Sequence, residues 1–184
     1  MATCSPRIAH RLAAVALAAT LSLTIAASAT AVTKRGDAKA NNIVGTAQAD
    51  FLYGKAGNDS LRGLGGDDRL DGGGANDRLS GGAGGDRLLG NVGNDRIFGG
   101  TGDDRIDGGS GSDRVLGGTG NDYIFERRTD EIERIEGGDG DDVLYGGAGL
   151  DRYDCGAGND AAVVENALEG AVATSLGCER IVMG

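Results

Sequence analysis

The sequence predicts an all-β solenoid of nine-residue half-turns, and three observations predict it. Aspartate recurs every nine residues at Asp50, Asp59, Asp68, Asp77, Asp86, Asp95, Asp104, Asp113 and Asp122, and the beat resumes at Asp142, Asp151 and Asp160. Two residues after these stand Leu52, Leu61, Leu70, Leu79, Leu88, Ile97, Ile106, Val115, Ile124, Leu144 and Tyr153, one apolar or aromatic side chain per unit. Glycine, 36 of 184 residues, keeps the same frame, complete in Gly81-Gly82-Ala83-Gly84-Gly85-Asp86-Arg87-Leu88-Leu89. A period of nine fits neither a helix nor a simple hairpin, whereas it fits the half-turn of a stacked coil.

The elements follow in order. Arg7, His10 and Arg11 give a basic start, and Leu12 to Thr33 carries no charge. Small residues then offer cleavage after Ala29 or Ala31, so residues 1–31 read as a secretory signal peptide. The uncharged stretch is long enough to span a bilayer, but its Ala, Ser and Thr richness and its small-x-small ending favour cleavage over an anchor. A secreted, extracellular protein is expected, with no stable membrane insertion afterwards. Cleavage would move the net charge from −10 to −12, which argues against nucleic acid as a partner. It would also remove His10 and Cys4, leaving Cys155 and Cys178. An even pair in an oxidising compartment suggests one disulfide, two free thiols being the alternative.

Residues 32–44 read as a linker and degenerate N-terminal cap, with Asn41 and Ile43 as a faint first unit. The unit from Gly45 to Asp50 keeps one glycine only, as expected of a solenoid end. From 45 to 160 the array is nearly continuous. Counting from the first glycine, position six is the aspartate and position eight faces inward, so positions seven to nine read as a very short strand alternating out, in, out. The six residues before them form the turn, where glycine permits positive φ and close backbone approach. Such a loop surrounds a carboxylate with exposed carbonyls, the hard oxygen donors that calcium takes in sets of about 6 to 8.

Two half-turns make a coil of eighteen residues, so loops beginning at 45, 63, 81, 99 and 117 stack on one edge and those at 54, 72, 90 and 108 on the other. Asp86 and Asp104 then lie close along one edge with the same charge, and the stack repels itself without a cation. One inward side chain per nine residues is also a thin core for a glycine-rich chain, which loses more entropy on ordering. Calcium binding is therefore expected to supply folding free energy.

These residues resemble the haemolysin-type calcium-binding (RTX) nonapeptide, Gly-Gly-x-Gly-x-Asp-x-apolar-x. The resemblance covers roughly Gly45 to Asp160 in a dozen copies. It implies a parallel β-roll with several Ca2+ ions between turns, ligated by the twelve position-six aspartates together with loop carbonyls. In that family such rolls accompany proteases, lipases, polysaccharide-modifying enzymes and adhesins. Export there generally uses an uncleaved C-terminal signal, and this chain departs from that pattern.

Other departures are local. Ala75 replaces a position-four glycine, and Lys55, Leu64 and Asn91 replace position-two glycines, which weakens those loops as sites. Residues 126–136 contain no glycine and put Glu131 where aspartate is due, counting forward from Phe125. They read either as one bulged half-turn, with Gly137 on the edge of Gly117, or as a surface loop splitting the roll in two. Residues 161–184 read as a C-terminal cap, folded over the last coil by a Cys155–Cys178 bond.

Candidate chemistry beyond calcium is sparse. No histidine follows residue 31, so HExxH, Ser-His-Asp and Cys-His sites are absent from the mature chain. Asp67/Asp68, Asp103/Asp104 and Asp141/Asp142 read as one ligand plus one solvated neighbour rather than a glycosidase pair. Arg69, Arg78, Arg87, Arg96, Arg105, Arg114 and Arg152 hold position seven, either screening the acidic edges or gripping an anionic polymer. Tyr53, Leu89, Phe98, Leu116, Phe125 and Tyr145 at position nine offer a partner surface. The acidic cluster Glu126, Asp130, Glu131, Glu133 and Glu136 specifies no reaction. The expectation is a non-enzymatic calcium-binding β-roll that is the whole mature protein. The alternatives are a calcium-stiffened adhesin or matrix protein contacting an envelope or extracellular glycan or protein, and an accessory of a polysaccharide-modifying enzyme.

Overall fold

The computed structural model describes residues 30–126, 133–147, 151–164, 177–178 and 180–183. The basic start and most of the uncharged stretch of the expected signal lie outside these residues, as do Asp130, Glu131 and much of the expected cap.

Among the described residues the regular structure is all strand. One sheet contains β1 (Thr33–Arg35), β3 (Phe51–Ala56), β5 (Arg69–Gly74), β7 (Arg87–Val92), β9 (Arg105–Ser110), β11 (Tyr123–Phe125), β13 (Val143–Tyr145), β15 (Ala161–Val164) and β16 (Arg180–Met183), side by side in that order. The other contains β2 (Asn42–Val44), β4 (Ser60–Gly65), β6 (Arg78–Ala83), β8 (Arg96–Thr101), β10 (Arg114–Thr119), β12 (Arg134–Asp139) and β14 (Arg152–Ala157). Every pairing is parallel. The chain crosses from one sheet to the other at each half-turn and returns a coil later, so Arg87 pairs with Arg105 and Leu88 with Ile106. This is the parallel β-solenoid that the spacing predicts.

Position eight builds the core. Leu52, Leu61, Leu70, Leu79, Leu88, Ile97, Ile106, Val115, Ile124, Leu144 and Tyr153 are all buried, joined by Ile43, Ile135 and Ala162 from atypical units. β1, β2, β11 and β13 have the predicted three residues, and the other strands run longer. In β6, β8 and β10 they continue through the next unit's first three positions, so the turn shrinks to positions four to six. The reason is backbone stacking: Gly100 pairs with Gly118, and Gly118 with Gly138, so identical main chains keep the ladder going where no side chain advertises a strand. Position nine lies on the outer face, as the alternation predicts, mostly half-buried by its neighbours and exposed at Arg62 and Asp154. Phe125 stacks on Tyr145 at 5.1 Å, and Arg35 lies over Tyr53 at 5.0 Å.

The irregular segment does not split the roll. Arg114 pairs with Arg134 and Tyr123 with Val143, a register of twenty instead of eighteen, and sheet alternation continues on both sides. The unit between β11 and β12 is therefore two residues longer than a regular one. The register also corrects the frame. Glu133, not Glu131, precedes the position-seven residue Arg134 and so holds position six; Glu131 lies outside the described residues. Counting forward from Phe125 fails because the insertion falls before position six. At the C-terminal end Cys155 takes the inward position-one place, is fully buried, and is bonded to Cys178. β16 then pairs with β15, so Ala161 aligns with Arg180 and the tail contributes strands to the sheet.

Candidate functional site

All twelve predicted aspartates are buried, none more than 5% exposed. They form two columns, one at each edge. Asp50, Asp68, Asp86, Asp104, Asp122, Asp142 and Asp160 lead into the odd-numbered sheet. Asp59, Asp77, Asp95, Asp113 and Asp151 lead into the other.

Within a column one carboxylate oxygen is used to tie coils. The main-chain N–H of Asp68 donates to Asp86 Oδ1 at 2.7 Å, Asp77 to Asp95 Oδ1 at 2.7 Å, and Asp142 to Asp160 Oδ1 at 2.9 Å. The other oxygen is left over. Oδ2 of Asp59, Asp68, Asp77, Asp86, Asp95, Asp104, Asp122, Asp142 and Asp160 is buried without a hydrogen-bond partner among the described residues. Nine repeats of an arrangement that normally costs about 1–3 kcal/mol each, more for a charge, point to a missing cationic partner.

The backbone supplies the remaining donors. Position-one glycines face inward against these oxygens: a methyl at Gly99 would overlap both Asp104 Oδ2 and the Gly117 carbonyl, and one at Gly117 both Asp122 Oδ2 and the Gly137 carbonyl. A methyl at Gly84 or Gly102 would overlap the carbonyl of Gly66 or Gly84 in the preceding coil. Glycine therefore keeps open a cradle of carboxylate and carbonyl oxygens between coils. No three acidic, histidine or cysteine side chains gather into one cluster among the described residues, so a cation here would draw largely on main-chain oxygen. That donor set fits calcium, which tolerates irregular all-oxygen shells, and does not suit zinc, which prefers nitrogen and sulfur.

Electrostatics agree with the geometry. Burial pushes Asp68, Asp86, Asp95, Asp122 and Asp142 up to about 6, and Asp77 and Asp104 up to about 7, against hydrogen bonds that pull the other way. For Asp77 and Asp104 the neighbouring aspartates of the column add repulsion. The metal-free roll thus disfavours the charges it is built around.

Column ends and irregular units differ. Asp50 Oδ2 accepts from the Thr46 N–H at 2.5 Å and its hydroxyl at 3.0 Å. Asp151 Oδ2 accepts from the Tyr153 hydroxyl at 3.4 Å. These two carboxylates are already engaged. Lys55, Leu64, Asn91 and Ala75 adopt φ of 84°, 86°, 76° and 76°, so the four substituted glycine positions keep the loop shape at the cost of backbone strain. Asn41 stands in for aspartate before β2, and its N–H donates to Asp59 Oδ1 at 2.7 Å.

At the bulge, Glu126 occupies a position-one place and is buried, its carboxylate lying against Gly108. Burial, then repulsion from Asp113, Glu133 and Asp107, pushes it up to about 9. Glu133 is buried at position six, its N–H donating to Asp151 Oδ1 at 3.2 Å. Counting back from Gly137 would have found Glu133. Nothing in the sequence marks Glu126 as buried.

A stacked array of glycine loops, each pairing one half-satisfied carboxylate with inter-coil carbonyls, defines a repeat protein built for cations. The model of the RTX calcium-binding nonapeptide repeat matches the chain in four copies, at residues 35–68, 53–88, 89–124 and 129–161. The chain belongs to this calcium-binding repeat family. No curated protein matches it.

Proposed function

We propose that this protein is a secreted calcium-binding β-roll whose folding is coupled to calcium uptake, and that its activity is binding rather than catalysis. The observation that carries the reading is the repeated buried Oδ2 without a partner, beside carbonyls that glycine leaves uncovered. Asp59, Asp68, Asp77, Asp86, Asp95, Asp104, Asp122, Asp142 and Asp160 hold the ions with loop carbonyls of adjacent coils, and Asp113 shares their burial and position. Calcium supplies the positive charge that cancels repulsion along each column and links one coil to the next. The residues supply the rest: Oδ1 fixes each carboxylate by its hydrogen bond to the neighbouring coil, and the position-eight residues exclude water from the inner side. Asp50 and Asp151 are the weakest members, because their second oxygens are taken.

Residues 1–31 serve as the export signal, 32–44 as the N-terminal cap, 45–160 as the roll and 161–184 as the C-terminal cap. Extracellular calcium modules bind at about 10⁻⁴ to 10⁻³ M, so the chain would stay unfolded before export and fold outside. Titration of calcium into chelated protein, followed by far-ultraviolet circular dichroism with magnesium as the control, tests this. A cooperative transition to β structure with calcium alone is expected. A roll that folds identically in chelator would overturn the reading.

A further inference from the structure

The two faces differ at position seven in the length of their arginine runs. On the even-numbered sheet this position reads Arg78, Arg96, Arg114, Arg134 and Arg152, and register pairs each with the next. Five exposed guanidinium groups therefore stand in one column, one per strand, at a step of about 4.8 Å. On the odd-numbered sheet Arg69, Arg87 and Arg105 form a shorter run, with Phe51 and Tyr123 on either side, and Arg180 stands apart from it at the same register beyond Ala161. The alternation of half-turns sorts the arginines into two columns, the longer of them on the even-numbered sheet.

The protein does little to neutralise that longer column. Glu136 serves both Arg114, at 3.3 Å, and Arg134, at 2.7 Å. Arg78 lies over the Phe98 ring at 4.9 Å. Among the described residues Arg96 and Arg152 reach no carboxylate within 4.0 Å, and no arginine reaches a position-six aspartate. Like charges placed directly opposite one another on neighbouring strands cost stability.

On the edge feeding this face the position-five residues, outside the buried aspartate column, are uncharged and polar. Asn58, Asn76, Asn94 and Ser112 hold position five, laddered by main-chain bonds such as Asn94 N–H to Asn76 Oδ1 at 2.8 Å. A cleft of about 420 Å³ is lined by Asn76, Asn94, Ser112, Arg96 and Arg114, and also by Asp95, a position-six carboxylate whose charge bound calcium would offset. The opposite edge instead carries Asp67, Asp103 and Asp141 at the same position and would repel an anion.

We propose that the arginine column and its asparagine border form the binding track for a linear acidic polysaccharide, whose carboxylates meet successive guanidinium groups and whose hydroxyls meet the amides. Guanidinium pairs with carboxylate through two parallel hydrogen bonds. A linear uronate carries one carboxylate per sugar, so one extended ligand laid along the column can engage several of its arginines. The inference goes beyond calcium binding but uses the folded, calcium-loaded roll.

The test uses calcium-loaded protein and a fluorescent oligogalacturonate too short to gel with calcium, with a neutral oligosaccharide and a single-stranded DNA oligonucleotide alongside. Salt-sensitive binding of the oligogalacturonate alone is expected. Arg96→Gln/Arg114→Gln should weaken it by about tenfold or more, and Arg69→Gln/Arg87→Gln, with the same charge loss on the other face, should leave it unchanged. Circular dichroism of the same samples shows whether each variant is folded, which separates failure of the track from failure of calcium-driven folding. No binding to the uronate, equal loss in both folded variants, or tighter binding of the DNA would overturn the proposal.

Discussion

The main-chain N–H of Asp86 donates to Oδ1 of Asp104 at 2.7 Å across one full coil, while Asp104 Oδ2 is buried with no partner among the described residues. One carboxylate thus performs two separable tasks. Its first oxygen sets coil register, and its second presents charge to the inter-coil cradle.

Asp104→Asn separates those tasks, because the amide oxygen still accepts from Asp86 while the other atom becomes an N–H donor facing carbonyls. The calcium-loaded form should lose about 1–3 kcal/mol. Calorimetry should give a lower calcium stoichiometry and a higher midpoint than wild type. Asp103→Asn, at an exposed position-five residue that accepts from Asn121 N–H at 2.8 Å, should leave both unchanged. Equal effects from the two variants would mean that only net charge matters.

Acid should stabilise the metal-free roll. The carboxyls of Asp68, Asp77, Asp86, Asp95, Asp104, Asp122 and Asp142 sit at about 6 to 7 when folded, above the ordinary 3.8. Groups raised on folding contribute stability that is fully present below the unfolded value and lost as pH rises through the folded one. In chelator, β structure should therefore grow as pH falls from about 7 toward 4. With calcium the order reverses, since protons compete for the same oxygens and the calcium midpoint should rise below about pH 6. Circular dichroism at several pH values with and without calcium measures both arms, and a pH-independent metal-free spectrum would contradict the first.

Glycine positions give a paired prediction of opposite sign. Gly99→Ala would push a methyl onto Asp104 Oδ2 and the Gly117 carbonyl, and should cost about 1–3 kcal/mol. Leu64 is half-exposed, at 53%, and held at φ 86°, so Leu64→Gly should relieve strain and stabilise the loaded roll by about 1 kcal/mol. Thermal melts in calcium decide both.

The sequence made the solenoid legible because Asp and the position-eight residues keep a strict period, and the same period assigns Asp86 and Asp104 to one edge. Strand length was not legible. Gly99 and Gly100 belong to β8, but inward glycines carry no hydropathy signal. Counting through the bulge misplaced position six, since two extra residues leave no local mark and only the pairing of Arg114 with Arg134 fixes Glu133. Glu126 was missed for a different reason: a charged residue in a glycine place reads as solvated, yet it is buried. The arginine track was visible as a row but not as a face, because the two columns appear only once alternate half-turns are laid in separate sheets.

The C-terminal end offers the last prediction. Cys155 replaces the position-one glycine in β14, and its bond to Cys178 closes a separation of 23 residues. β16 follows two residues later and pairs with β15, so the bond anchors the segment that covers the end of the odd-numbered sheet. By loop entropy such a closure is worth about 3 kcal/mol. Reduction, or Cys178→Ser, should lower the melting temperature in calcium and increase hydrogen exchange in β15 and β16, while exchange in β5 to β9 stays protected. The calcium transition itself should persist with a higher midpoint, because the central cradles at Asp68 to Asp104 do not touch the cap. Complete loss of calcium-induced β structure on reduction would instead make the cap the nucleus on which the coils build.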